Sequence, residues 1–179
     1  MATSGMPMRE SARPDAGTIK RLATVGVYGF TVEDFLTILR EADVRLLLDV
    51  RQRRGVRGSE YAWANAKRLV AALAEAGIGY RHHFELAPTT ELRQLQYRED
   101  DRLGVGKRSR EELAPEYRQR YVNEILDHAD LAALVAELPD HGAGALLCVE
   151  RDPEACHRSL VADRVAAEYG LPVTHLRPS

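Results

Sequence analysis

The chain has 179 residues, two cysteines and a formal net charge of −2, the size and composition of one globular domain kept in a reducing compartment. A charge so close to zero gives no bulk attraction to nucleic acid or membrane, so any basic site has to be local. No apolar run approaches the roughly 18 residues of a membrane span, and the amino terminus has no signal-peptide core. We therefore expect a cytoplasmic protein with a disordered leader over residues 1–20 and a single domain over 21–179.

The first strand is predicted at residues 22–27, a short apolar run that ends in a glycine-containing turn. Thr31 and Asp34 then have the spacing of a capping box, which predicts an amphipathic helix. A second apolar run, residues 44–50, does not alternate in polarity, as is typical of a strand covered by helices on both faces. The loop that follows, residues 51–57, carries the main positive cluster of the chain.

The middle of the chain is less regular. Ser59 is expected to cap a helix that ends at Gly77, and residues 78–84 are predicted to form a third strand. Residues 85–108 are mixed in charge and show no clear period, so we expect a lid or an irregular excursion from the sheet. Ser109 is expected to cap the next helix.

The last third of the chain contains the segment on which the predicted site depends. A short helix over residues 131–138 precedes a buried strand over 145–149. Asp152 is a suitable N-cap, so a helix is expected to begin there and to carry residues 156–158 in or near its first turn. Residues 173–176 are predicted to form the last strand.

The alternation of strands and helices favours a three-layer α/β fold with a mostly parallel sheet. In such a sheet the carboxyl ends of all strands lie at one edge, where ligands usually bind. The arginine loop 51–57 and the segment 150–158 are therefore expected to meet there.

Five arginines are candidates for binding an anion. A helix amino terminus stabilises negative charge, and guanidinium groups bind phosphate or carboxylate through paired N–H donors. The candidates are Arg51, Arg53, Arg54, Arg57 and Arg158. The alternative is that Asp49 and Glu150 neutralise these arginines in salt bridges.

A thiol, an imidazole and two carboxylates are candidates for catalysis: Cys156, His157, Glu150 and Asp49. A cysteine at a helix amino terminus beside cations can be a thiolate nucleophile, and the other three groups can transfer protons. The alternatives are a small buried cysteine and carboxylates that only orient arginines. The spacing excludes a phosphatase loop, because Ala162 stands where an arginine would follow the cysteine by six residues.

Metal ligation is a weaker prediction. Cys148, Cys156 and His157, together with His82 or His83, offer the donor atoms that soft metals prefer. Neither the Cys-x2-4-Cys nor the His-x3-5-His spacing of common zinc sites is present, so the spacing predicts no metal site, and it identifies no cofactor. A disulfide between the two cysteines is not expected in a reducing cytoplasm.

Several motifs, in this order, resemble the domain-of-unknown-function family 488. They are the glycine-containing first turn, Asp49-Val50-Arg51, Gly77-Ile78-Gly79-Tyr80, and Cys148-Val149-Glu150 followed by Cys156-His157-Arg158. The resemblance covers residues 23–176. It implies a Rossmann-like α/β fold, a cytoplasmic setting in bacteria or archaea, and an enzymatic site of unassigned reaction. Residues 52–58 and 86–88 depart from the family's usual patterns, so the substrate can differ from that of other members.

Three functions are hypotheses at this point. The first is an enzyme that acts on a small phosphorylated or nucleotide-like anion. The second is a nucleic-acid-binding module in base modification or repair, in which the arginine loop contacts phosphates while Tyr61 and Trp63 stack on bases. The third is a non-catalytic domain that binds a protein partner through the arginine loop. No membrane partner is expected, and the sequence predicts no oligomeric state.

Overall fold

The computed structural model describes residues 19–179, in which five parallel strands form one sheet. The strands are β1 (Arg21–Val25), β2 (Val44–Asp49), β3 (Gly79–His82), β4 (Ala143–Leu147) and β5 (Val173–Leu176). Their order across the sheet is β3-β2-β4-β1-β5. This topology confirms the predicted Rossmann-like three-layer α/β fold. The predicted leader lies outside the described residues except for its last two.

Six α-helices within residues 19–179 cover the two faces of the sheet. They are α1 (Val32–Glu41), α2 (Ala66–Glu75), α3 (Thr90–Leu103), α4 (Pro115–Glu124), α5 (Leu131–Glu137) and α6 (His157–Tyr169). The buried side chains of α1 and α2 pack on one face, and those of α3 to α6 pack on the other. None of these helices is long and apolar enough to cross a membrane.

Each face of the sheet contributes alternate strand residues to its own hydrophobic core. Leu48 and Leu146 pack beneath α3 to α6, whereas Leu47 and Leu147 pack beneath α1 and α2. All four are fully buried, and each such leucine stabilises the fold by about 1.5–3 kcal/mol relative to an exposed one. Because both faces are covered, these strands show continuous apolar runs rather than alternation.

Ser59 and Ser109 do not cap helices, contrary to expectation. Residues Ser59–Ala64 form a 3₁₀ turn, and α2 begins only after it. The hydroxyl of Ser109 instead accepts a hydrogen bond from the backbone N–H of Gly106 at 3.0 Å. The following helix begins at Pro115. Proline is favoured at the first position of a helix, because the backbone N–H groups there have no hydrogen-bond partner within the helix and proline has none to satisfy.

The predicted helix start at Asp152 is also wrong. Residues Pro153–Ala155 form a 3₁₀ turn, and α6 begins at His157 with Cys156 as its N-cap residue. Cys156 has an extended backbone, with φ −141° and ψ 144°. The thiol nevertheless lies at the amino terminus of a 13-residue helix, as the predicted site requires.

Residues 85–108 contain a helix, α3, where we expected an irregular segment. The hydroxyl of Thr89 accepts a first-turn backbone N–H at 3.2 Å, and Gly104 ends the helix in the left-handed conformation with φ 68°. Two of its buried positions are the polar residues Gln96 and Asp100. These polar residues hide the apolar period on which the sequence prediction relied.

Candidate functional site

A cavity of about 710 Å³ lies beyond the carboxyl ends of β2 and β4. Its walls come from the arginine loop, from positions between 88 and 113 on α3 and the loop after it, and from positions between 148 and 157. The volume falls within the roughly 300–1,000 Å³ that is typical of small-molecule sites. The arginine loop and the thiol-bearing segment thus face the same cavity.

Two buried arginines of the cavity are neutralised by carboxylates. Arg51 donates to Asp49 from Nε at 2.9 Å and from Nη2 at 2.7 Å. Arg110 donates to Asp100 from Nε at 3.0 Å and from Nη2 at 2.8 Å. None of the four side chains is more than 5% exposed. Asp49 is therefore the salt-bridge partner of Arg51, and it does not line the cavity.

Further cations give the cavity a surplus of positive charge. Five more of them line it: Arg53, Arg57, Arg93, Lys107 and Arg108. Within residues 19–179, no carboxylate oxygen lies within 4.0 Å of the guanidinium of Arg53, Arg57 or Arg93. Arg93 donates to neutral groups instead, Gln52 Oε1 at 2.6 Å and the Tyr97 hydroxyl at 2.9 Å. Glu150 is the one acidic side chain among the described lining residues.

Arg54 and Arg158, two of the predicted anion-binding residues, do not line the cavity. Arg54 is exposed, and its Nη1 lies 3.5 Å from the hydroxyl of Tyr80. Arg158 is fully buried and donates to the carbonyl oxygens of Glu150 at 2.7 Å and Arg151 at 3.1 Å. The guanidinium of Arg158 thus holds the loop after β4 in shape, because it supplies a donor to both carbonyl groups.

Cys148, Cys156 and His157 form a compact buried cluster beside the cavity. The two Sγ atoms and one imidazole nitrogen lie within 4.8 Å of one another, and His157 Nδ1 is 3.8 Å from each sulfur. The other ring nitrogen, Nε2, lies 2.9 Å from the carbonyl oxygen of Val50. Because a carbonyl oxygen only accepts hydrogen bonds, Nε2 carries a proton and Nδ1 faces the sulfurs.

His82 and His83, the other candidate ligands, are engaged elsewhere. His82 Nε2 lies 2.8 Å from the carbonyl oxygen of Arg51. His83 lies between the carboxylates of Glu85 and Glu137, at 2.5 and 3.1 Å. Neither ring belongs to the sulfur cluster.

The groups of this cluster shift one another's pKa values in different directions. Burial raises the pKa of the Cys156 thiol, but the hydrogen bond with Cys148 and the charges of His157 and Arg158 bring the pKa well below its ordinary value. Burial and the hydrogen bond with Cys156 hold the pKa of Cys148 well above that value. Burial lowers the pKa of His157, but Cys156, the Val50 carbonyl and Glu150 together raise it above its ordinary value. These shifts favour the thiolate at Cys156, the protonated thiol at Cys148 and a more basic imidazole at His157, and the amino terminus of α6 also favours the Cys156 thiolate.

Glu150 links this cluster to the cations of the cavity. Its Oε2 accepts a hydrogen bond from the Cys148 thiol at 3.4 Å. Its Oε1 lies 3.7 Å from Arg110 Nη1 and 3.9 Å from Lys107 Nζ. The carboxylate also lines the cavity, so it is placed to exchange a proton with a bound ligand.

The two aromatic residues expected to stack on bases are packed against the protein. The ring of Trp63 lies 4.9 Å from that of Phe35, and its side chain packs on the core beneath α1 and α2. The ring of Tyr61 lies 5.2 Å from that of Tyr28, and its hydroxyl accepts a hydrogen bond from the Gly29 N–H at 3.1 Å. Neither ring is free to serve as a stacking platform in this conformation.

The sequence analysis missed the wall that α3 and the loop after it contribute. This wall supplies Arg93, Gln96, Tyr97, Lys107 and Arg110. The helix start and stop signals, Thr89 and Gly104, are visible in the sequence and would have located α3. The roles of its polar residues had no such signal, because their neighbours in the cavity come from distant parts of the chain.

Comparison with known proteins gives the family but no characterised relative. No curated protein and no solved structure is significantly similar to the chain. A family model matches residues 31–165, about three quarters of the chain, and this range includes the arginine loop and the sulfur cluster. The chain therefore belongs to the family described as Domain of unknown function DUF488.

Proposed function

We propose that this protein is an enzyme that binds a small phosphorylated or nucleotide-like anion in the cavity and acts on it at Cys156, His157 and Glu150. The observation that carries the proposal is a single cavity that combines surplus positive charge with the buried thiol of Cys156 and the imidazole of His157, whose Nδ1 lies 3.8 Å from the sulfur. Thiols with strongly shifted pKa values beside a pocket are typical of reaction centres.

The anion would bind to the guanidinium groups that lack carboxylate partners. Arg53, Arg57 and Arg93 line the cavity, and none of them has an acid within 4.0 Å in the part of the chain that the structure describes. Hydrogen bonds from such groups to phosphate are charge-assisted, and each contributes about 1.5–3 kcal/mol. Arg51 and Arg110 already donate to Asp49 and Asp100, so we assign them to the walls rather than to the ligand.

The catalytic part of the proposal rests on Glu150 and the sulfur cluster. Glu150 lines the cavity beside Lys107 and Arg110, so it can exchange a proton with a ligand while both cations hold the carboxylate in place. A reacting atom near Cys156 and His157 would meet a thiolate and an imidazole that the fold has already oriented.

A thermal-shift screen against nucleotides and sugar phosphates tests the binding step, and isothermal titration then measures the affinity of each hit. For such a ligand we expect Arg93→Gln to weaken binding by about tenfold or more, because it removes one charge-assisted donor. The matched control is Arg45→Gln. Arg45 lies near the start of β2, away from the cavity. The Arg45→Gln variant should therefore bind the ligand as the wild type does.

Turnover of the same ligand tests the catalytic step. We expect Glu150→Gln to keep most of the affinity and to lose turnover, because the amide keeps the shape of the side chain but cannot take a proton. If no phosphorylated compound stabilises the protein, or if Arg93→Gln and Arg45→Gln bind it equally well, the proposal fails.

The two other hypotheses predict different results in the same assays. A nucleic-acid-binding module would bind short DNA or RNA with an affinity that falls steeply as salt rises. A domain that binds a protein partner would show neither ligand binding nor turnover, and alanine at Cys156 would leave the cellular phenotype intact.

A further inference from the structure

We propose that Cys148, Cys156 and His157 bind one zinc ion and leave a fourth coordination position open to the cavity. Two cysteine sulfurs and one imidazole nitrogen are a donor set of catalytic zinc sites, which keep one position for water or substrate. The ion would share the cavity with the proposed anion, but the anion would bind to arginines, whereas Cys156 and His157, which the proposed function places at the reaction centre, would act there as ligands of the ion. The inference therefore does not depend on the arginines.

The distances in the cluster are close to those of a tetrahedral zinc site. Zinc–sulfur bonds of about 2.3 Å and zinc–nitrogen bonds of about 2.0–2.1 Å at tetrahedral angles place a sulfur and a nitrogen about 3.6 Å apart. Both Sγ to Nδ1 distances in this protein are 3.8 Å. Shifts of about 0.2 Å would bring both sulfur–nitrogen separations to this value, and the two sulfurs already lie within 4.8 Å of each other.

The imidazole is already oriented as a ligand. Metal-bound histidines usually donate their second ring N–H to a carbonyl or carboxylate, which fixes the ring and the tautomer. His157 Nε2 lies 2.9 Å from the Val50 carbonyl oxygen, which turns Nδ1 toward the two sulfurs. This contact ties the ligand on α6 to the chain directly after β2, so the ring is held by two elements of the fold.

The two sulfurs are held by the backbone on opposite sides of one loop. Cys148 directly follows β4, and Cys156 is the N-cap residue of α6. The intervening residues fold over Arg158, whose guanidinium binds the carbonyl oxygens of residues 150 and 151. Common zinc motifs bring ligands together by short spacing, whereas here a structured loop does so.

The open position would lie beside Glu150. All three ligand residues line the cavity, so the remaining coordination position faces it. Glu150 Oε2 lies 3.4 Å from the Cys148 sulfur, so the carboxylate would stand next to a water at that position. A carboxylate in this place can accept a proton from zinc-bound water.

Metal analysis of the untagged full-length chain, purified without chelator, tests the proposal. We expect about one zinc per chain by mass spectrometry. After removal of the metal, added Co²⁺ should give the thiolate-to-cobalt charge-transfer bands and the visible bands of a tetrahedral site. Cys148→Ser and His157→Asn should each lower the metal affinity by about a hundredfold or more, since even changes around the ligands cost 10–100-fold. The control is His128→Asn, an exposed histidine outside the cluster.

Purified protein without zinc that also gives no cobalt bands would overturn the site, as would an unchanged cobalt spectrum in Cys148→Ser. The Arg93→Gln variant separates the two proposals, because it should keep the metal while it loses affinity for the anion. Metal binding without any anion binding would count against the proposed function alone. Anion binding by a chain that takes up no metal would count against the zinc site alone.

Discussion

The buried pair of Asp49 and Arg51 gives a sharp prediction for stability. Asp49 is fully buried and accepts four hydrogen bonds: from the backbone N–H of Arg51 at 3.1 Å, from its Nε at 2.9 Å and Nη2 at 2.7 Å, and from the Tyr80 hydroxyl at 2.6 Å. Asp49→Asn removes the negative charge and sets an amide N–H₂ against groups that donate. The guanidinium, only 1% exposed, would then be buried without a counter-charge. Since breaking a buried ion pair from one side costs about 3–5 kcal/mol, we expect the free energy of unfolding to fall by that amount.

Urea unfolding, followed by circular dichroism, measures this difference against a matched control. Asp43→Asn is the same substitution at a carboxylate that also pairs with two arginines, Arg21 at 3.1 Å and Arg45 at 2.7 Å. The Asp43 side chain is 44% exposed, and the backbone φ of 53° at this residue suits asparagine. We therefore expect the free energy of unfolding to fall by only about 0–1 kcal/mol. If the two variants unfold within about 1 kcal/mol of each other, the buried pair does not have the energy assigned to it.

Two further predictions concern the tight backbone contact between Gly26 and Glu150 and the pH dependence of stability. In Gly26→Ala the new Cβ would lie 2.0 Å from the backbone carbonyl oxygen of Glu150, so we expect a loss of about 3 kcal/mol in urea unfolding. Gly55→Ala, where the nearest atom among the described residues is 3.8 Å from the new Cβ, should be close to neutral, and equal stabilities of the two variants would contradict this contact. Burial, followed by the charge of Arg158, lowers the pKa of His175 in the folded protein. As the pH drops below about 6.5, His175 therefore becomes protonated in the unfolded chain first, and the free energy of unfolding falls until the pH reaches the folded-state pKa. His175→Gln should therefore lose less stability between pH 7 and 5 than the wild type, and an equal loss in thermal melts would refute the assignment.

The elements with strong local signals could be predicted from the sequence. All five strands were located to within a few residues, β1, β2 and β4 from continuous apolar runs that are typical of strands covered on both faces. The alternation of strands with helices predicted the parallel sheet. The capping box at Thr31 is also confirmed, since its hydroxyl accepts the Asp34 N–H at 3.1 Å. The single domain over 21–179 and the cytoplasmic location stay predictions.

The sequence analysis misjudged the segments in which polar residues, rather than an apolar period, mark the structure. The helix α3 went unrecognised because Gln96 and Asp100 occupy buried positions that an amphipathic helix usually gives to apolar residues. Ser59 and Ser109 suggested caps, but a hydroxyl side chain can satisfy turns as readily as helix ends, and its neighbours decide which.

The sequence by itself determined the fold class, the family and the position of a thiol, an imidazole and several arginines near the carboxyl ends of strands. Only the tertiary structure decided which of these groups share a cavity. It paired Arg51 with Asp49, assigned Arg158 to loop carbonyls, and brought Cys148 to His157. The physical reason is that periodicity and capping identify regular elements, whereas charge pairing and ligand geometry depend on where side chains lie in space. This holds within a loop, as for Asp49 and Arg51, and between distant segments, as for Val50 and His157.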